Sequence, residues 1–270
     1  LSPDASCSVI LRLRESLRQS FLSGAPYSKQ MKSPASEIAQ RADALYSTRE
    51  EIENVRLSVD LLQQALINEF NYELAWRLGR ALFFLGQEAV DTPQALGLHA
   101  RAVETCDQAA RACPSQVEGH FWLGVNLALL AALEKPLNAL RHALRARRAL
   151  HRAIALDAAY HAAGPLRVLA RLESKLPRLL GGGRTRARAT YEKAIALAPA
   201  NTVTRLYFAQ LLLETGDHTS AHAQLQAVLN APHDPAWAFE IARDRRLAQS
   251  LLKNQVQSPK SKAQSQKPCS

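Results

Sequence analysis

The chain has 270 residues, 47% of them apolar, with 11 glycines, 13 prolines and 4 cysteines, and a formal charge of +10. Ala, Leu, Arg and Gln dominate and β-branched runs never alternate as a half-buried strand would, so an almost entirely helical fold is expected and a β-rich one excluded. The most apolar run, residues 121–133, is 13 residues long and holds Asn126, which excludes a membrane span of about 20 residues.

Residues 1–36 read as a separate N-terminal segment carrying a net +3. Within it, residues 8–24 place Ile10, Leu13, Leu17 and Phe21 on one helical face and Arg12, Arg14 and Arg18 elsewhere. Such a basic amphipathic helix packs on the domain that follows, lies on a membrane surface or serves as an organelle address. Packing is the expectation.

Residues 37–254 carry an internal repeat. Ala65, Ala109, Ala153 and Ala194 each close a helix, and Pro114 and Pro199 follow two of them at a fixed distance, where a residue without an N–H ends the helix. Seven residues before these alanines stand Ser58, Ala102, Ala146 and Ala187; three before stand Leu62, Cys106, Leu150 and Tyr191. The small residue admits a neighbouring backbone and the larger one fills the next gap. Partner helices carry Leu78-Gly79-Leu82, Leu123-Gly124-Leu127, Leu169-Ala170 and Phe208-Ala209-Leu212. The last unit turns through residues 214–221. Earlier units are longer, so they contain either longer turns or longer helices. Residues 234–254 form a capping helix begun by Asp234-Pro235. Residues 255–270 form a disordered basic tail. Cys106 and Cys113, seven apart on one helix, are about 10 Å apart along its axis and out of disulfide reach. Sparse cysteine use fits a reducing compartment; taken alone the sequence features point to the cytoplasm, but they leave the compartment open.

Gly79/Leu82, Gly124/Leu127, Ala187/Tyr191/Ala194/Pro199 and Ala209/Gly216/Ala221 resemble the tetratricopeptide (TPR) repeat, a helix-turn-helix unit. The start at Gly164-Pro165-Leu166-Arg167, the stop at Leu176-Pro177 and the bend at Gly181-Gly182 are similar to a narrower set. That set comprises the TatT-type accessory proteins of TRAP transporters and the regulator-of-microtubule-dynamics proteins. The resemblance implies an all-α, right-handed TPR-like solenoid with inserts and a C-terminal capping helix. It further implies a role beside a solute-binding protein and, with an N-terminal signal, a periplasmic location.

By analogy with TPR grooves, the concave face is lined by Trp76, Arg80, Phe83 and Phe84, then Phe121, Val125 and Leu129. Arg167, Arg171 and Lys175 follow, then Leu206, Gln210 and Leu213. An aromatic stretch beside a cationic one suits a protein or peptide partner, or a small ligand with an apolar body and an anionic head. Two outcomes stay open: a free groove, or one partly closed by its own aromatics. Trp76/Arg80 and Phe121/Val125 do not supply the Lys and Asn of a chaperone-tail clamp.

No cofactor or metal is expected, and no catalysis. Residues 181–185 lack P-loop spacing. His218 and His222 have no third ligand and read as solvent-facing. The basic segment 141–188 holds 12 basic and 2 acidic side chains, with Arg141, Arg145, Arg148 and Arg152 along one face. It offers an anionic membrane or nucleic acid a surface, but without interleaved aromatics the solvated face is the expectation.

Overall fold

The computed structural model describes residues 33–257. The predicted amphipathic helix over 8–24, with Cys7, Cys269 and the tail beyond Gln257, lies outside the described residues. Among the described residues, eleven α-helices and two 3-10 turns follow one another with no strand. They pair in chain order: α1 (Pro34–Ser47) with α2 (Ile52–Asn68), α3 (Tyr72–Gln87) with α4 (Thr92–Ala112), and α5 (Val117–Leu133) with α6 (Pro136–Leu156). Next come α7 (Tyr160–Lys175) with α8 (Arg184–Leu197) and α9 (Thr202–Glu214) with α10 (His218–Leu229), and last α11 (Ala238–Gln257). From α2 to α11 nearly every helix packs on its sequence neighbours, and α3 also meets α5, α5 meets α7 and α7 meets α9. This is the TPR-like helical solenoid expected from the repeat.

The repeat positions are where the backbones meet. Ala102, Cys106 and Ala109 of α4, Ala146, Leu150 and Ala153 of α6, and Ala187, Tyr191 and Ala194 of α8 all have zero exposure. A Cβ added at Gly79 would stand 2.0 Å from Cys106 Sγ, and one at Gly124 would stand 2.7 Å from Leu150 Cγ. Cys106 is therefore part of a helix contact, and burial pushes its thiol far above the usual range. Cys106 and Cys113 are both free thiols.

The extra length of the second and third pairs is helix, not loop. α4 and α6 each run 21 residues, whereas α10 runs 12. The fourth pair differs: its connection holds a 3-10 turn, Arg178–Leu180, and the run Gly181-Gly182-Gly183. There, Gly182 N–H donates to Pro177 O at 3.0 Å and Gly183 N–H to Glu173 O at 2.8 Å. These amides are spent on the turn, so they are not aimed at a phosphate. His218 and His222 are both exposed on α10.

The helix ends follow local chemistry. Asn71, Asp91, Asn201 and Asp217 each accept a backbone N–H of the first turn, of Leu74, Gln94, Thr204 and Ser220 respectively. Asp234 accepts from Ala236 N and starts a 3-10 turn, Pro235–Trp237, ahead of α11. The capping helix thus begins at Ala238, later than expected, and extends to Gln257. It packs on α9 and α10. The fully buried Asp244 of α11 accepts from Thr202 Oγ1 at 2.8 Å in the first turn of α9, where a carboxylate also favours the helix dipole.

Candidate functional site

Helices α3, α5, α7 and α9, the ones expected to line the groove, adjoin one another, and their predicted groove positions fall into two groups. In the first, Trp76 is buried, donates its indole N–H to Glu73 at 3.2 Å and lies under the Arg77 guanidinium at 4.2 Å. Arg80 sits between the rings of Tyr46 and Trp76, at 4.1 and 5.2 Å, and donates to Asp43 of α1 at 2.6 Å. Among the described residues its Nε is buried without a partner. Phe83 packs on Trp122 at 5.4 Å, and Phe84 on Tyr46 at 6.1 Å. Phe121 and Val125 are buried and Leu129 is half-buried. Phe121 meets Trp122 and Tyr160 edge-on at 4.9 and 5.3 Å.

The second group is a ladder between α7 and α9. Arg171 donates to Gln210 Oε1 at 3.0 Å with its guanidinium over Tyr207, and the exposed Lys175 pairs with Glu214 at 3.0 Å. Leu206 is buried against α10 and α11, and Leu213 is half-buried. Arg167 joins the ladder to the aromatic group. It is 5% exposed, and its guanidinium reaches only neutral groups among the described residues. These are Ala162 O at 3.1 Å, Asn201 Oδ1 at 3.3 Å, Thr204 Oγ1 at 3.4 Å and His161 Nδ1 at 3.5 Å. Burial pulls its pKa down. A buried cation without a carboxylate is costly, and that is what sets this position apart.

Sequence reasoning missed the centre of the cluster. His161 is ringed by Phe121, Trp122, Tyr160 and Trp237, with centroids at 5.4, 5.2, 6.0 and 4.9 Å. Burial first, then the positive charges of Arg167, Arg80 and Arg49, pushes its pKa down to about 3, so the ring is neutral at pH 7. It reaches that place through backbone strain. His161, Ala162 and Ala163 have φ of 52°, 53° and 56°, a left-handed turn made without glycine. The right-handed helix resumes at Gly164-Pro165, where proline suits a first turn and an added Cβ at Gly164 would press Phe121 at 2.8 Å. Each left-handed non-glycine residue costs about 1–2 kcal/mol. Ala162→Gly is therefore expected to raise stability by about 0.5–1 kcal/mol once glycine's extra unfolded-state entropy is subtracted, as a urea midpoint would show.

The face is covered by the C-terminal segment. Trp237 lies 4.9 Å from His161 and 5.7 Å from the Arg167 guanidinium. Phe239 meets Phe84 at 5.5 Å. Arg49, in the turn between α1 and α2, donates from Nε and Nη2 to the two Glu240 oxygens at 3.1 and 2.5 Å, and to Ala236 O at 3.2 Å. The last helix thus clasps the first pair across 191 residues of sequence.

Two open depressions lie elsewhere. One, of about 600 Å³, is lined by Leu66, Ile67, Phe70 and Leu78 and gathers no cation. The other, of about 350 Å³, is lined in part by Arg145, Arg148 and Arg152. Two of these are engaged: Arg145 with Asp107 at 3.6 Å and Arg152 with Pro114 O at 3.0 Å. Neither depression joins aromatic rings to a buried cation, as the cluster around His161 and Arg167 does.

Residues 79–257 match the family model of the TRAP transporter T-component. The chain belongs to that family. The matched span runs from within α3 through α11 and so includes Arg80, His161, Arg167 and the covering segment Pro235–Glu240, while Tyr46, Arg49 and Trp76 precede it. Among solved structures, the T-component chain is similar to TTC0263, a thermophilic TPR protein of Thermus thermophilus. The identity is 21%, over 77% of this chain and 97% of that one, with a TM-score of 0.57. It is also similar to MamA, at 17% identity over 74% and 95% of the two chains, with a TM-score of 0.45. The first of these bears on fold, and it is a TPR fold. No curated protein matches the chain. Among its described residues, no helix of this T-component is long and apolar enough to cross a membrane.

Proposed function

We propose that this T-component is a non-catalytic accessory subunit that binds the solute-binding protein of a TRAP-type transporter through its concave face. The supporting observation is Arg167, a buried guanidinium that hydrogen-bonds only neutral groups among the described residues, set beside an aromatic cluster and one step from the Arg171 and Lys175 ladder. Family membership supports the transporter context, and a TPR-like fold suits holding another protein's segment. An anionic group entering next to Arg167 would be strengthened by the low local dielectric.

The test uses the two purified proteins in sedimentation velocity. A complex containing both is expected. Lys175→Glu, at an exposed position of the ladder, should weaken it at least about tenfold. Salt should weaken the wild-type complex as well. If the proteins sediment independently at every concentration tried, the reading fails.

A further inference from the structure

The segment Pro235–Glu240 reads as a strap laid over the concave face. Its outward residues Pro235, Ala236 and Ala238 are exposed, while Trp237, Phe239 and Glu240 turn inward. Three side chains close together in sequence therefore make the contacts: one ring on His161 and Arg167, one ring on Phe84, one carboxylate on Arg49. The surface beneath them is complementary in both respects. It is aromatic through Tyr46, Phe84, Phe121, Trp122 and Tyr160, and cationic through Arg49, Arg80 and Arg167.

The match is incomplete at one point. Glu240 answers Arg49, and Asp43 answers Arg80, but the strap offers no carboxylate to Arg167, which it covers with the Trp237 ring. Among the described residues Arg80 Nε is also buried without an acceptor. An occupant with the strap's aromatic pair and one more acceptor would answer a group that the strap leaves unanswered.

We infer that the strap is a resident stand-in for a partner segment. The segment that displaces it is an extended, acidic peptide of the partner protein with two aromatic residues two apart and carboxylates on both sides. One carboxylate takes Glu240's place on Arg49 and the other meets Arg167. The inference rests on the concave face being the docking face, and it adds the chemistry of what docks. The left-handed turn holds His161 and the Ala162 carbonyl in place for this, since Arg167 donates to that carbonyl. Strain kept at such a position fits a site held for a guest.

The test keeps the full chain. A fluorescein-labelled peptide copying residues 233–243 is titrated against wild type and against Trp237→Ala/Phe239→Ala, with fluorescence anisotropy as the readout. The variant is expected to bind at least about tenfold more tightly, because its own strap no longer competes. Adding Arg49→Glu should remove the gain. The peptide carries Asp234 on the N-terminal side of its tryptophan. In the strap that carboxylate is held by Ala236 N–H, so a second peptide with Ala236→Asp supplies the missing group: it should bind the double variant more tightly than the plain copy, and equal binding would overturn the assignment of a carboxylate to Arg167. If the double variant melts early, Glu240→Gln weakens the strap without removing a ring and should still bind better than wild type. A folded variant that binds no better than wild type overturns the inference. So does equal competition by free indole-3-acetate, which would make the occupant a small carboxylate. Peptide binding without a complex with the solute-binding protein would keep the groove's preference and remove the partner. The complex without peptide binding would do the reverse.

Discussion

Between pH 6.5 and 4.5 the protein is expected to lose about 2 kcal/mol of stability through His161 alone. The folded imidazole is held near 3 while the unfolded one sits at 6.5, so in this window the unfolded chain binds a proton that the folded chain refuses. Stability tied to a depressed histidine is present above 6.5 and drains away as the pH falls toward 3. Each pH unit is worth about 1.4 kcal/mol, and partial protonation of the unfolded chain near 6.5 brings two units down to roughly 2. The groups that face His161 set the sign. Arg167 on its own helix, Arg80 on α3 and Arg49 beside α2 all repel a proton, and the nearby Glu240 carboxylate is occupied by Arg49. His99, also pulled down by burial, acts in the same direction. The buried Glu173 and Asp244, both pushed up by burial, act oppositely: the folded chain takes up their protons first and gains stability as the pH falls. The measurement is therefore a difference. Urea unfolding of wild type and His161→Phe is followed across pH 4.5–7.5. The stability of wild type minus that of the variant should fall by about 2 kcal/mol on going from pH 6.5 to 4.5, because phenylalanine keeps ring contacts and has no proton to refuse. Parallel curves would show that His161 does not carry the acid loss.

The solenoid was legible because its information is local. Small residues at a fixed distance from larger ones on the same helix report where backbones approach, and Ala102/Cys106/Ala109 and Ala187/Tyr191/Ala194 are indeed without exposure. The weakest match, Ser58 with Ala65, is looser only at Ala65, which is half-buried; Ser58 and Leu62 are buried, and Ser58 donates to Ala42 O at 3.3 Å. The site was legible in part. Analogy with the repeat named Arg80, Phe83, Phe121 and Arg167, which gather at the aromatic cluster, but also Arg171, Lys175 and Gln210, which pair with one another or with Glu214. Two things have no local signature. The left-handed turn at His161 is made by His and Ala, so no glycine announces it. The Arg49–Glu240 clasp joins residues 191 apart, and periodicity carries no information at that range. One sign was present: Trp237 and Phe239, two apart, cannot share a face of an ideal helix, which points to a non-helical entry before α11.

Arg167→Met is expected to leave the fold as stable as wild type, or more stable by about 1 kcal/mol, while cutting capture of an anionic partner segment about a hundredfold or more. The two halves come from one cause. Among the described residues the guanidinium has four neutral hydrogen-bond contacts and no carboxylate within hydrogen-bond reach, Asp244 and Glu240 acting only from further off, so methionine of similar length keeps the packing and removes the desolvation cost. The acceptors it abandons are not all stranded: Asn201 Oδ1 still accepts from the backbone N–H and the hydroxyl of Thr204, at 3.0 Å each. The Ala162 carbonyl loses this donor, and it belongs to the strained turn. When a carboxylate arrives the balance reverses, since a buried charge pair broken from one side typically costs several kcal/mol of binding. A residue kept at the expense of stability for what it binds should show this opposition, whereas a purely structural arginine should not. Thermal unfolding read beside peptide anisotropy separates the cases. If Arg167→Met lowers the melting temperature and binding is unchanged, Arg167 is an internal brace for the turn and not an anion receptor.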